Sequence, residues 1–350
     1  MVDPEKQPGN PKIPCGLNFL MTVVVFEKRL RTSRISLWYV YVCVFLVVWA
    51  VLVFGFGLVC AVLRQWPMAL VMILGSLVAG STPMGGGAVS FPVLVLALGV
   101  TPDNAKSFGL VIQALGMTSA MIFIFSRRVP VQGRLLVWTI IGAAGGMLLG
   151  TISIAPRIPA NFIKLTFACM WMSFAVLTMA RNREFCSLTG ARTVTERAAM
   201  SVGLVVGVVG GIISSVIGNG VDMLLYVALV LLYRCDLKVA VPTAVSAMAV
   251  TSVIGVAARL YVGSFSTDVM MKFLAAGPLV IFGAPIGTYI VSVIPRRRTL
   301  YAISILCVVQ FAWTLSRLQR TLAEWMFVGI AMIAAGAIFY WMYRRGQHSS

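Results

Sequence analysis

The sequence predicts an all-α polytopic membrane protein built from two inverted repeats, with about 8 full spans and two re-entrant, Gly-rich helical pairs. An arrangement of 10 ordinary spans is the alternative. Three observations lead there. Hydrophobic residues make up 60% of the 350 and charged residues only 11%, too few to cover a soluble domain of this size. Many apolar runs reach the ~20 residues that a helix needs to cross a ~30 Å hydrocarbon core. Two longer runs are interrupted by glycines at matching places in the two halves. The alternating pattern of barrel strands is absent, so backbone hydrogen bonding in lipid has to be helical.

The elements follow in order. Residues 1–35 are polar, proline-bearing and basic, and the apolar stretch 17–26 is too short to span. Glu27-Lys28-Arg29 stands where a signal peptide would carry small residues, so 1–35 is expected as a cytosolic or interfacial arm. The first span covers 36–62. A long apolar stretch, 68–100, is broken at Ser81-Thr82-Pro83-Met84-Gly85-Gly86-Gly87, and spans at 104–125, 133–154 and 158–180 complete a first membrane half, 36–180, with repeat core 68–180. A basic polar linker, 181–197, leads to a second half, 198–343, with repeat core 198–315. That half opens with a stretch at 198–233, broken at Gly218-Asn219-Gly220, followed by spans at 239–262, 269–294, 300–315 and 322–343. Residues 344–350 are a polar tail.

Landmarks recur in the same order at offsets of 133 to 137. Gly85-Gly86-Gly87 answers to Gly218-Asn219-Gly220, and Asp103-Asn104-Ala105 to Asp236-Leu237-Lys238. Gly146 to Thr151 answers to Gly283 to Thr288, and Ile158-Pro159 to Ile294-Pro295. Order preserved over weak identity is the mark of an old internal repeat. The Lys/Arg distribution chooses between the topologies. If both broken stretches cross, the basic residues divide 16 inside to 12 outside; if both re-enter, they divide 20 to 8, the stronger positive-inside bias. Re-entrance also makes the repeats antiparallel, the arrangement on which alternating access is built.

The net charge of +18 arises from short clusters between apolar runs, such as Arg127-Arg128 and Arg296 to Arg298. These are topology signals facing anionic lipid and do not form a nucleic-acid surface. The seven cysteines are scattered and the single His348 lies in the tail, so neither a disulfide framework nor a metal site is expected, and no cofactor. The sequence carries no P-loop, nucleophile elbow or soluble ATPase segment, which argues against an enzyme or a primary pump.

Candidate binding residues cluster at the breaks. Pro83 removes a helical donor, the glycines expose backbone, and the next half-helix would turn free N–H groups toward the gap. An anion fits there, with Ser81, Thr82, Gly85, Gly86, Gly87 and Ser90 around it. The second break offers Ser214, Ser215, Gly218, Asn219 and Gly220. Asp222, an acid inside an apolar run, would bind a coupled proton or cation or cap the following helix. Gln113, Thr243 and Arg259 are coupling or gating candidates on neighbouring helices. Lys272 is expected to snorkel, and Gly142, Gly145, Gly146, Gly150, Gly207, Gly210 and Gly211 to pack helices closely.

The run Gly80-Ser81-Thr82-Pro83-Met84-Gly85-Gly86-Gly87, then Phe91-Pro92, then Thr101-Pro102-Asp103-Asn104-Ala105, resembles the sulfite exporter TauE/SafE family of transporters. The resemblance covers roughly residues 68 to 343. In the second repeat Asn219 replaces a glycine, Leu225 stands where the family's proline is expected, and Asp222 is unusual. The resemblance implies movement of sulfite, organosulfonates or related sulfur and carboxylate anions. The expectation is a secondary transporter of a small anion in a lipid bilayer, the plasma membrane being favoured, with no nucleic-acid partner. An anion channel and a non-transporting membrane scaffold or receptor are the alternatives.

Overall fold

A computed structural model describes residues 36–82, 85, 90, 93–181, 195–263, 265–293, 295–316 and 321–348. The arm 1–35, most of the linker 181–197, and Gly86 and Gly87 lie outside the described residues. Among those described, the chain is helical without strands.

The expected first span, 36–62, divides in two. Helix α1, Ser36–Gly55, ends before Gly57, whose φ of +64° breaks the helical path, and a short α2, Val59–Arg64, follows. Next come α3, Trp66–Ser81, and α4, Pro102–Ser126, which starts with the Thr101 hydroxyl accepting the N–H of Asn104 and with a proline at its first position. Helix α5, Gly133–Leu149, runs on through a π-helical turn, Gly150–Ile154, into α6, Ala160–Ala180. The second half consists of α7, Glu196–Ile217; α8, Val221–Val227, extended by a π-turn at Ala228–Leu232; α9, Leu237–Tyr261; α10, Thr267–Val293; α11, Arg296–Ser316; and α12, Leu322–His348. Asp236 caps α9 as Thr101 caps α4, so the two helix starts match in chemistry as well as position.

The directions of these helices settle re-entrance. On α10, Gly283 meets Ser76 of α3 and Gly287 meets Ser81, so α3 and α10 run the same way. Helix α4 also runs with α10, because Ser266 faces Asn104 and the Ser119 hydroxyl donates to the Ile281 carbonyl at 2.7 Å. Two consecutive apolar helices that point the same way cannot both cross in sequence, so the stretch between them returns to the face it left. The second stretch does the same. Its arm α7 lies parallel to α5, with Gly142 on Leu204 and Gly150 on Ser215. The Tyr233 hydroxyl, at the far end of the return, donates to the Ala198 carbonyl at the head of α7, 3.2 Å away.

Helices α4 and α9 are antiparallel, since Asp103 pairs with Arg259 and Gln113 with Ser252. Helices α3 and α4 are therefore reversed relative to their counterparts α7 and α9, and the repeats are inverted. They are also exchanged. Arm α3 packs on α10 of the other half, and arm α7 on α5. Glycines make this possible: a Cβ on Gly142 or Gly211 would lie 2.5 or 2.6 Å from the Leu204 or Ala143 carbonyl oxygen. Such small faces let backbones approach in lipid, where apolar burial gives little drive to associate.

Among the described residues, seven helices (α1, α4, α5, α7, α9, α10 and α12) are long and apolar enough to cross a membrane. Of these, α7 pairs with α8 and returns, while α6 and α11, of 21 residues each, reach about 31 Å at ~1.5 Å per residue. Helix α9 is central, with 78% of its span buried; α1, at 11%, turns Leu37, Val40, Val44 and Val47 outward to lipid. This topology places Ser36, Arg181, Thr195 and His348 on one face. The positive-inside rule predicts that face to be cytosolic, since the re-entrant charge count assigns it 20 of the 28 Lys/Arg residues. A reporter inserted at 182–194 is expected to be active in the cytosol and silent outside; the opposite result would restore 10 crossing spans.

Candidate functional site

The two breaks have different depths. In the first, α3 ends at Thr82, whose backbone is extended at φ −142° and ψ 156°, with its side chain buried. Gly85 follows in the left-handed region at φ +64°, which a side chain resists. It lies against Gln113 and Met248, each the twelfth residue of a 25-residue helix, and so at mid-depth. The Ser81 hydroxyl donates back to the Val78 carbonyl at 3.2 Å. Ser90 is fully buried, and its hydroxyl has no hydrogen-bond partner. Beside this break, Met72, Ser76, Gln113, Gly116, Val280 and Ala284 line a small cavity with room for roughly one water.

The second break lies toward the outer face. Helix α7 ends at Gly218, φ +91°, whose N–H bonds the Ser214 carbonyl at 2.8 Å, and its Cα abuts Lys106, the fifth residue of α4. Lys106 and Gln113 are seven residues apart, so both breaks meet one face of α4 about 10 Å from each other along its axis. Ser214 accepts the N–H of Val221 at 3.1 Å, and Ser215 bonds the Ile212 carbonyl. Asn219 and Asp222 are buried, at 2% and 1% exposure. One carboxylate oxygen of Asp222 accepts the N–H of Gly220 at 2.9 Å, and the other is buried with no hydrogen-bond partner. The head of α8 thus already faces a carboxylate, while the first break has none among the described residues.

The neighbouring helices divide into residues at the breaks and residues that join helices. Ser252 donates to the Gln113 amide oxygen at 3.3 Å, linking α9 to α4 beside the first break. Thr243 accepts the N–H of Gln132 and donates to the Val239 carbonyl, which ties α9 to the α4–α5 connection. Arg259 pairs with Asp103, and Lys272 with Asp268 one turn away. Lys106, which sequence reasoning passed over, is 3% exposed and also pairs with Asp103. Its only signal is a lysine one turn inside an apolar helix, three residues after an acid.

One family profile, sulfite exporter TauE/SafE, fits residues 68–312, which contain both breaks and all the helices that exchange between halves. The chain belongs to the sulfite exporter TauE/SafE family. No curated protein and no solved structure matches it. Family membership makes this TauE/SafE protein an integral, multi-pass membrane transporter of the sulfur-anion class. Among its described residues, no group of three His, Cys, Asp or Glu side chains could hold a metal ion.

Proposed function

We propose that the protein is a secondary carrier that moves a small sulfur oxyanion, sulfite or an organosulfonate, by alternating access. One observation supports this reading above the others: two re-entrant hairpins of opposite direction meet the same face of α4 from reversed, exchanged halves. Rocking one half against the other would expose that face to each side in turn. The substrate position is the first break, between Gly85, Ser90 and the Gln113–Ser252 pair. There the left-handed backbone of Gly85 and the buried, unpartnered hydroxyl of Ser90 are available to oxyanion oxygens. Asp222 is assigned the coupling proton, because a buried carboxylate with one bonded and one unbonded oxygen has a place for it.

Paired re-entrant hairpins also build channels, and flux kinetics separate the two. Purified protein in liposomes is expected to take up labelled sulfite with saturation and to exchange it faster when unlabelled sulfite is inside. Uptake that rises linearly with concentration and ignores internal anion would indicate a pore. No uptake across sulfite, thiosulfate, sulfoacetate, taurine and small carboxylates would defeat the carrier reading.

A further inference from the structure

At the outer end of α4 and α9, two buried cations share one carboxylate. Lys106 Nζ lies 3.0 Å from Asp103 Oδ1, and Arg259 Nη2 donates to both Asp103 oxygens at 2.8 Å. The cations are 3% and 4% exposed, whereas the Asp103 side chain is 57% exposed. Among the described residues no other carboxylate pairs with either cation, and the Nε of Arg259 is buried without a hydrogen-bond partner. The group therefore holds one surplus positive charge in a place where an uncompensated charge is costly.

A clamp joining α4 to α9 would need only Arg259 and Asp103. A second buried cation adds repulsion to such a clamp. Here the acid faces outward and the cations face inward. Lys106 also carries the cluster to the tip of the second hairpin, since a Cβ on Gly218 would stand 3.4 Å from the Lys106 carbonyl oxygen.

We propose that Lys106 and Arg259 form an outer anion-binding site, which holds a doubly charged oxyanion such as sulfite in the place now taken by the Asp103 carboxylate. The site rests on the anion-carrier reading above and adds a position to it, one end of the α4 stripe whose other end is Gln113. Two cations match a dianion, and Asp103, already half in solvent, is released to water when the dianion arrives. Asp103 is then a resident competitor, and its removal strengthens binding. The planar guanidinium supplies several donors to oxyanion oxygens and the ammonium a mobile point charge.

The test is sulfite binding to the full-length protein, purified in lipid-free detergent so that no headgroup competes, measured by titration calorimetry and paired with liposome flux. Asp103→Asn is expected to lower the Kd about tenfold, while Lys106→Gln and Arg259→Gln each raise it about tenfold or more. Arg259→Lys, which keeps the charge but not the fork of donors, is expected to lose less affinity than Arg259→Gln, and a monodisperse elution profile for each variant controls for folding. A clamp predicts that Asp103→Asn and Arg259→Gln shift binding in the same direction, because both break the same pair. That result, unchanged affinity in all three, or no sulfite binding by the wild type would overturn the site. Flux separates the two readings: normal wild-type transport with a flat binding series removes this site alone. The opposed shifts without any transport would leave the site standing and remove the carrier.

Discussion

Gly85→Leu is expected to give a protein that inserts, purifies and elutes normally and carries no sulfite. Two effects act at this one position. The backbone is left-handed at φ +64°, which costs a residue with a Cβ about 1–2 kcal/mol. A Cβ there would also overlap the Met248 methyl, stand 2.9 Å from its sulfur and 3.2 Å from the Gln113 amide nitrogen. The damage falls at mid-depth between α4 and α9, where the substrate is proposed to bind. The glycines that join the exchanged halves, Gly142, Gly146, Gly207 and Gly211, are untouched. Liposome uptake should fall at least about a hundredfold, a barrier increase of roughly 2.7 kcal/mol. Uptake at the wild-type rate would take Gly85 out of the substrate path.

Asp222→Asn is expected to abolish stimulation of uptake by an inward proton gradient while exchange at equal pH continues. Asparagine keeps an oxygen that can accept the Gly220 N–H, so the turn into α8 is preserved while the titrating group is lost. Asp222→Ala, by contrast, removes the acceptor as well and should lower thermal stability, since a lost helix-end bond costs about 1 kcal/mol. If Asp222→Asn leaves the gradient effect intact, the residue only caps its helix and the coupling group is elsewhere. The comparison is informative because Asp222 is 1% exposed and has one oxygen without a hydrogen-bond partner.

The breaks show how far the sequence could be read. Pro83 and the glycines around positions 85 and 218 announce interruptions, because their effect on the backbone is local and belongs to the residue itself. Their depth was not legible. Gly218 reaches the fifth residue of α4 while Gly85 stops at the twelfth. Depth depends on arm length and on the helix each arm packs against, and α3 has 16 residues where α7 has 22. Thr243 shows the same limit from the other side. The sequence offers it as a coupling or gating candidate, and its bond to the Gln132 N–H is set by a packing that no local pattern announces.

The sequence by itself determined membrane residence, helical structure, and the repeat and its order. These depend on composition, on periodicity and on charge relative to lipid, all of which are summed along the chain. Only the tertiary structure decided that the halves are exchanged, with α3 on α10 and α7 on α5, and that Asp103, Lys106 and Arg259 form one cluster across 156 residues of sequence. Contacts of that kind are fixed by which glycine-faced helices can approach most closely. That choice is made among all the helices at once and is written in no single segment.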